Sequence, residues 1–144
     1  MHRTRLALGF AAGAVLVASS AAHSLLGWPA LRAALERTHA PAELVTGLAI
    51  GWHFAGVAML TMGGVVLGLF AAAARGRPVP LWPARLVALA YVAFGAWALA
   101  VSGRDPFFLA TFVAPGLLLG AAAWPRGAAE PARSVVRPVP LDAR

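Results

Sequence analysis

Residues 44–74 read LVTGLAIGWHFAGVAMLTMGGVVLGLFAAAA, without a single charged side chain. A helix rising 1.5 Å per residue crosses the roughly 30 Å hydrocarbon core of a bilayer with about 20 residues. This run therefore reads as lipid-embedded helix, and it is too long for an upright crossing. It predicts a tilted span, or one that projects beyond the membrane at its Glu43 end. Three more apolar segments stand beside it, at about 6–27, 84–102 and 107–124. Together they predict an all-α fold, an integral membrane four-helix bundle occupying residues 1–124. The tail, 125–144, is polar and rich in Pro and Arg, and is expected to be disordered.

Composition agrees with lipid rather than water as the solvent. Of 144 residues, 60% are hydrophobic and 12% charged, whereas soluble domains lie nearer half and a quarter. There is no cysteine, which excludes disulfides, thiolate metal centres, iron–sulfur clusters and cysteine nucleophiles. The net charge is +7 and every basic residue is arginine. A sequence pI near 11.9 would suit nucleic acid, but the arginines gather at the ends of apolar segments, where topology and lipid headgroups account for them. No nucleic-acid partner is expected.

Their distribution also predicts orientation. Arg3, Arg5, Arg75, Arg77, Arg85 and the four arginines of the tail fall on one side; only Arg32, Arg37 and Arg104 fall on the other. The positive-inside rule then puts both termini in the cytoplasm and the protein in a bacterial inner membrane as a multi-pass chain. Use of Arg over Lys, with abundant Ala and Gly, suggests a GC-rich bacterial genome. Trp28 marks the outer interface, and Trp82 and Trp124 the inner one.

Between the first two spans, residues 29–40 predict a short amphipathic helix on the outer membrane surface, opened by Pro29 and ended by Pro41. The turn SGRDP at 102–106 makes an antiparallel hairpin of the last two spans, with Asp105 as the helix cap. Pro115 is expected to kink the fourth. The start, MHRTR-LALGFAAGAVLVA-SSAA, has the layout of a secretory signal, and cleavage after Ala22 would leave His23 as a new N-terminus. Retention is favoured, because apolar character resumes at Leu25, Leu26 and Trp28.

His23 and His53 are the histidines within the apolar runs, and ionisable groups so placed usually face bundle interiors and often mark function. At 100° per residue, His23 shares a small-residue face with Gly9, Ala12, Leu16, Ser19, Ser20 and Gly27. His53 shares a side with Thr46, Ala49, Gly56, Val57, Leu60, Gly64 and Gly68. The two faces are expected to meet, with Ser19, Ser20, Ser24, Trp52 and Thr46 lining any pocket between them. Three roles follow. The imidazoles lock the bundle by hydrogen bonding, or hold a haem, metal or quinone, or handle protons. Zinc would need further ligands, and His39 is the only other histidine on that side. Met59 and Met62 point away from His53 and read as filler. The GxxxG pairs at Gly9–Gly13, Gly47–Gly51, Gly64–Gly68 and Gly116–Gly120 indicate close helix contact. No carboxylate lies inside a span, which disfavours a proton-coupled exporter, and no catalytic motif is present.

At AAHSLLG in the first span and WHFAGVAML in the second, the first half of the chain resembles small four-helix bacterial inner-membrane proteins of unknown function. Those carry a similar His-Ser near the end of helix one and a Trp-His in helix two. His23, Ser24, Trp52 and His53 are the matching positions. The resemblance implies a four-span fold and no activity. The function expected is non-enzymatic: a structural or accessory subunit of a bacterial inner-membrane complex, touching lipid, other subunits or further copies of itself. The alternatives are a haem- or quinone-binding redox protein using His23 and His53, and a small transporter or channel.

Overall fold

The computed structural model describes residues 2–124; the tail expected to be disordered lies outside them. Four helices account for nearly all of the described chain: α1 (Arg3–Arg37), α2 (Ala42–Ala74), α3 (Trp82–Val101) and α4 (Pro106–Ala123). Each is long and apolar enough to cross a membrane. Short turns join them. Gly76, at φ 74°, ends α2 in the left-handed conformation, where glycine carries no Cβ penalty. This lets the Arg77 N–H reach the Ala72 carbonyl at 3.1 Å. The carboxylate of Asp105 accepts the Phe107 N–H at 2.9 Å and so caps α4, as its place before Pro106 predicts.

The helices are unequal: 35 and 33 residues in α1 and α2, against 20 and 18 in α3 and α4. α1 and α2 run antiparallel in one constant register. Gly9 faces Phe70, Gly13 faces Leu67, Gly63 faces Leu16 and Val17, Gly56 faces Ser24, and Gly27 faces Trp52. All four helices meet at the end where α1 begins and α4 ends. There Ala12, Val66, Phe70, Ala84, Ala88, Leu119, Ala122 and Ala123 form the core. At the same end Arg5 Nε donates to the Ala122 carbonyl at 2.9 Å, and Arg85 Nε to the Ala123 carbonyl at 3.2 Å. The last carbonyls of α4 lack helical N–H partners and carry negative partial charge, so two guanidinium groups both cap and neutralise them.

Because the helices are flush at this basic end, the shorter pair stops early at the other. α4 is about 27 Å long at 1.5 Å per residue, which brings its start level with about Ala21 of α1. No residue of α1 after Ser20, and none of α2 before Gly56, is buried. The bundle therefore has four helices over most of its height. Above that, the α1–α2 hairpin continues alone as an arm of about 20 Å.

A helix covers most of the segment expected at 29–40, at Trp28–Arg37 with Pro29 in its first turn. It is continuous with the rest of α1, which runs through Pro29 to Arg37. A proline within a helix lacks its N–H, and its ring crowds the carbonyl four residues back, here Leu25. The chain relieves that crowding with a π-helical turn at His23–Gly27, in which the Trp28 N–H bonds to the His23 carbonyl. The same device recurs in α4, where a π turn at Leu109–Val113 precedes Pro115. Each π turn ends two residues before its proline.

Candidate functional site

The buried residues of α1 are Gly9, Ala12, Gly13, Leu16 and Ser20, all within about 80° of His23. The small-residue face of α1 is therefore the packing face. In α2 the buried residues are Gly56, Met59, Gly63, Val66 and Phe70. That face is centred on the direction of Trp52, one residue and about 100° away from His53. His53 is exposed, as are Val57, Leu60, Gly64 and Gly68, so the expectation that the His53 side meets α1 is corrected. The reason lies in the composition of α2, where glycine occurs on several sides and small size alone does not select a face. The large rings select it instead: Phe70 occupies the space above Gly9, and Trp52 the space above Gly27.

What forms at the join is a clasp between His23 and Trp52. Their rings stack with centroids 4.2 Å apart and planes 4° from parallel. The Trp52 indole Nε1–H donates to the His23 carbonyl at 2.8 Å. In return, His23 Nε2 lies 3.1 Å from the Trp52 carbonyl. A carbonyl oxygen only accepts, so Nε2 carries the proton and the neutral ring is the Nε2–H tautomer. The carbonyl that receives the indole is the one that also accepts the Trp28 N–H in the π turn. One turn earlier, Ser20 Oγ donates to the Gly56 carbonyl at 2.7 Å and is itself buried. Ser24 sits against Gly56 so closely that a Cβ there would collide with its hydroxyl.

The remaining candidates divide. Ser19 is half-buried and makes no side-chain hydrogen bond among the described residues. Thr46 is exposed and donates to the Ala42 carbonyl of its own helix at 2.9 Å, so it lines no pocket. Met59 is core filler. His39 occupies the turn between α1 and α2 at φ 55°. His53 meets Trp28 edge-on at 5.7 Å, and Trp28 lies 6.4 Å from Trp52. The order in space is thus His23, Trp52, Trp28, His53, with two indoles between the imidazoles. With Nε2 of His23 held by a carbonyl and one ring face under an indole, the pair is not arranged to ligate one haem from two sides. Among the described residues no group of three His, Cys, Asp or Glu side chains could hold a metal ion.

The clasp thus joins α1 to α2 through a ring stack and two hydrogen bonds, each from a side-chain N–H to a carbonyl across the helix pair. Trp52 was legible only as a pocket-lining residue; its central role follows from the helix register, which places it over Gly27. No protein-family model, no curated protein and no solved structure matches the chain.

Proposed function

We propose that this chain is a multi-pass protein of a bacterial inner membrane, with both termini cytoplasmic, that serves as a structural or accessory subunit of a larger membrane assembly. The observation that carries this reading is the outward side of α2. Thr61, Gly64 and Gly68 are exposed there, and a Cβ added at either glycine would have nothing of the chain within 4 Å. In lipid, small residues gather where helices approach closely, because they let backbones touch and hydroxyls bond across. Here that surface is turned away from the chain's own partners. His53 lies on the same side of α2, within about 80° of all three, and an imidazole is better placed against a neighbouring helix than against acyl chains.

The clasp supports a non-enzymatic role, because its hydrogen-bonding groups are spent on one another rather than aimed into an open site. The orientation is supported by the arginines at the basic end, with Arg5 and Arg85 on α4. The test is purification from the native host in mild detergent, followed by mass spectrometry and absorption spectroscopy of the eluate. Co-purification with a larger set of membrane proteins, lost when Gly64 and Gly68 are replaced by leucine, is the expected result. A Soret band that disappears in His53→Ala would replace this function with a redox one. Transport in vesicles, abolished by changing either histidine, would replace it with transport.

A further inference from the structure

Near the basic end, α3 and α4 leave an open groove of about 330 Å³ between them, within the size range of small-ligand sites. Ala88, Leu89 and Val92 line it from α3, and Gly116, Leu117 and Gly120 from α4. Trp124 closes it at the basic end. Gly116 is tightly packed, with Val92 Cγ2 at 2.8 Å from where its Cβ would be, but Gly120 meets only Ala88 Cβ, at 4.0 Å. The groove thus exists because glycine leaves Gly120 unfilled.

Charge marks one end of it. Arg85, Ala88, Leu89 and Val92 form a single stripe on α3, at helical spacings of three and four, so Arg85 continues the groove one turn toward the basic end. Its guanidinium stands over the Trp124 ring at 5.8 Å from the centroid. Its Nε is anchored on the Ala123 carbonyl, and its other N–H donors have no acceptor among the described residues. The distance from Val92 to Arg85 along the helix is about 10 Å, compared with about 15 Å for one leaflet of hydrocarbon. An apolar channel of that length, ending in an anchored guanidinium beside an indole, matches one molecule: an acyl chain bearing an anionic headgroup.

We infer that this groove is a binding site for an anionic glycerophospholipid, one acyl chain lying between α3 and α4 and the phosphate on Arg85. This rests on the membrane reading above. The full chain in mild detergent is mixed with equal amounts of dioleoyl phosphatidylglycerol and dioleoyl phosphatidylcholine, and native mass spectrometry counts what is retained. Phosphatidylglycerol should be retained about fivefold more, the weight of one arginine at an anionic surface. Gly120→Leu, which fills the groove where the structure has room, should abolish retention while leaving helix content unchanged. Arg85→Gln should remove the preference between the two lipids, and Arg85→Lys should restore it. Equal retention of both lipids, or a preference that survives Gly120→Leu, overturns the site. If lipid binds only once residues 125–144 are removed, the tail is the occupant and the lipid proposal falls. A chain that does not fractionate with membranes at all would remove the membrane reading first, before any lipid is compared.

Discussion

Gly63 and Gly64 are neighbours in α2, yet replacing each by alanine should move stability in opposite directions. At Gly63 a Cβ would stand 2.8 Å from Val17 Cγ2, 3.0 Å from the Val17 backbone nitrogen and 3.2 Å from Leu16 Cβ. Valine has little χ1 freedom in a helix, and the nitrogen moves only if α1 moves. The helices must therefore separate, and overpacking of that kind costs about 1–3 kcal/mol. At Gly64 a Cβ meets nothing within 4 Å. Both substitutions gain alanine's helix propensity, up to about 1 kcal/mol in water and less where the unfolded state keeps its helices. Gly63→Ala should then destabilise by about 1–2 kcal/mol, and Gly64→Ala should be neutral or stabilising by up to about 1 kcal/mol, propensity being its only contribution. The gap of about 2 kcal/mol is roughly thirtyfold in an equilibrium constant. Titration of the monomer in dodecyl maltoside with sodium dodecyl sulfate, followed by circular dichroism and tryptophan fluorescence, measures it. Equal midpoints for the two variants, or a less stable Gly64→Ala, would refute the register in which α1 and α2 meet.

Three further outcomes follow from the clasp and from the basic end. Trp52→Phe keeps an aromatic ring but removes the indole donor, and should cost about 1 kcal/mol. A double-mutant cycle with His23→Ala should give a coupling of at least about 0.5 kcal/mol, and additivity would show that the two residues do not act together. A ¹⁵N–¹H correlation spectrum of the neutral His23 ring should show the Nε2–H tautomer; a proton on Nδ1 alone would break the Nε2-to-carbonyl bond assigned here. Arg5→Met retains the apolar stem and loses the donor to Ala122. It should speed amide exchange at Trp124, whose N–H closes the last turn of α4 on Gly120 at 2.9 Å, and unchanged exchange would show that the cap contributes nothing.

Legibility in the sequence varied from residue to residue for physical reasons. Helix number and length follow from runs of apolar side chains, because hydrophobic length is additive along a chain. The α1 face was readable since its glycines and serines gather on the side of His23, even though alanine occurs all round the helix. The α2 face was not, because its glycines lie on several sides and the contact depends on where Trp52 and Phe70 find room in another helix. Pro29 was readable as a first-turn proline of the 28–37 helix, but the continuity of that helix with the first span was not. A π turn that admits a proline within a helix leaves no apolar pattern of its own; two such turns, each with its proline at the same offset, are seen only in the structure.

What the amino-acid order settled alone was the number of apolar helices, the excess length of α2, the concentration of arginine at one end and the absence of cysteine chemistry. Those properties depend on composition within contiguous segments. Tertiary structure decided which imidazole is locked and which is left facing outward, that α1 and α2 continue past α3 and α4 as a paired arm, and that Arg5 and Arg85 terminate α4. Each of these depends on the register between helices distant in sequence. That register is decided where a large ring meets a missing side chain, a match that neither helix records by itself.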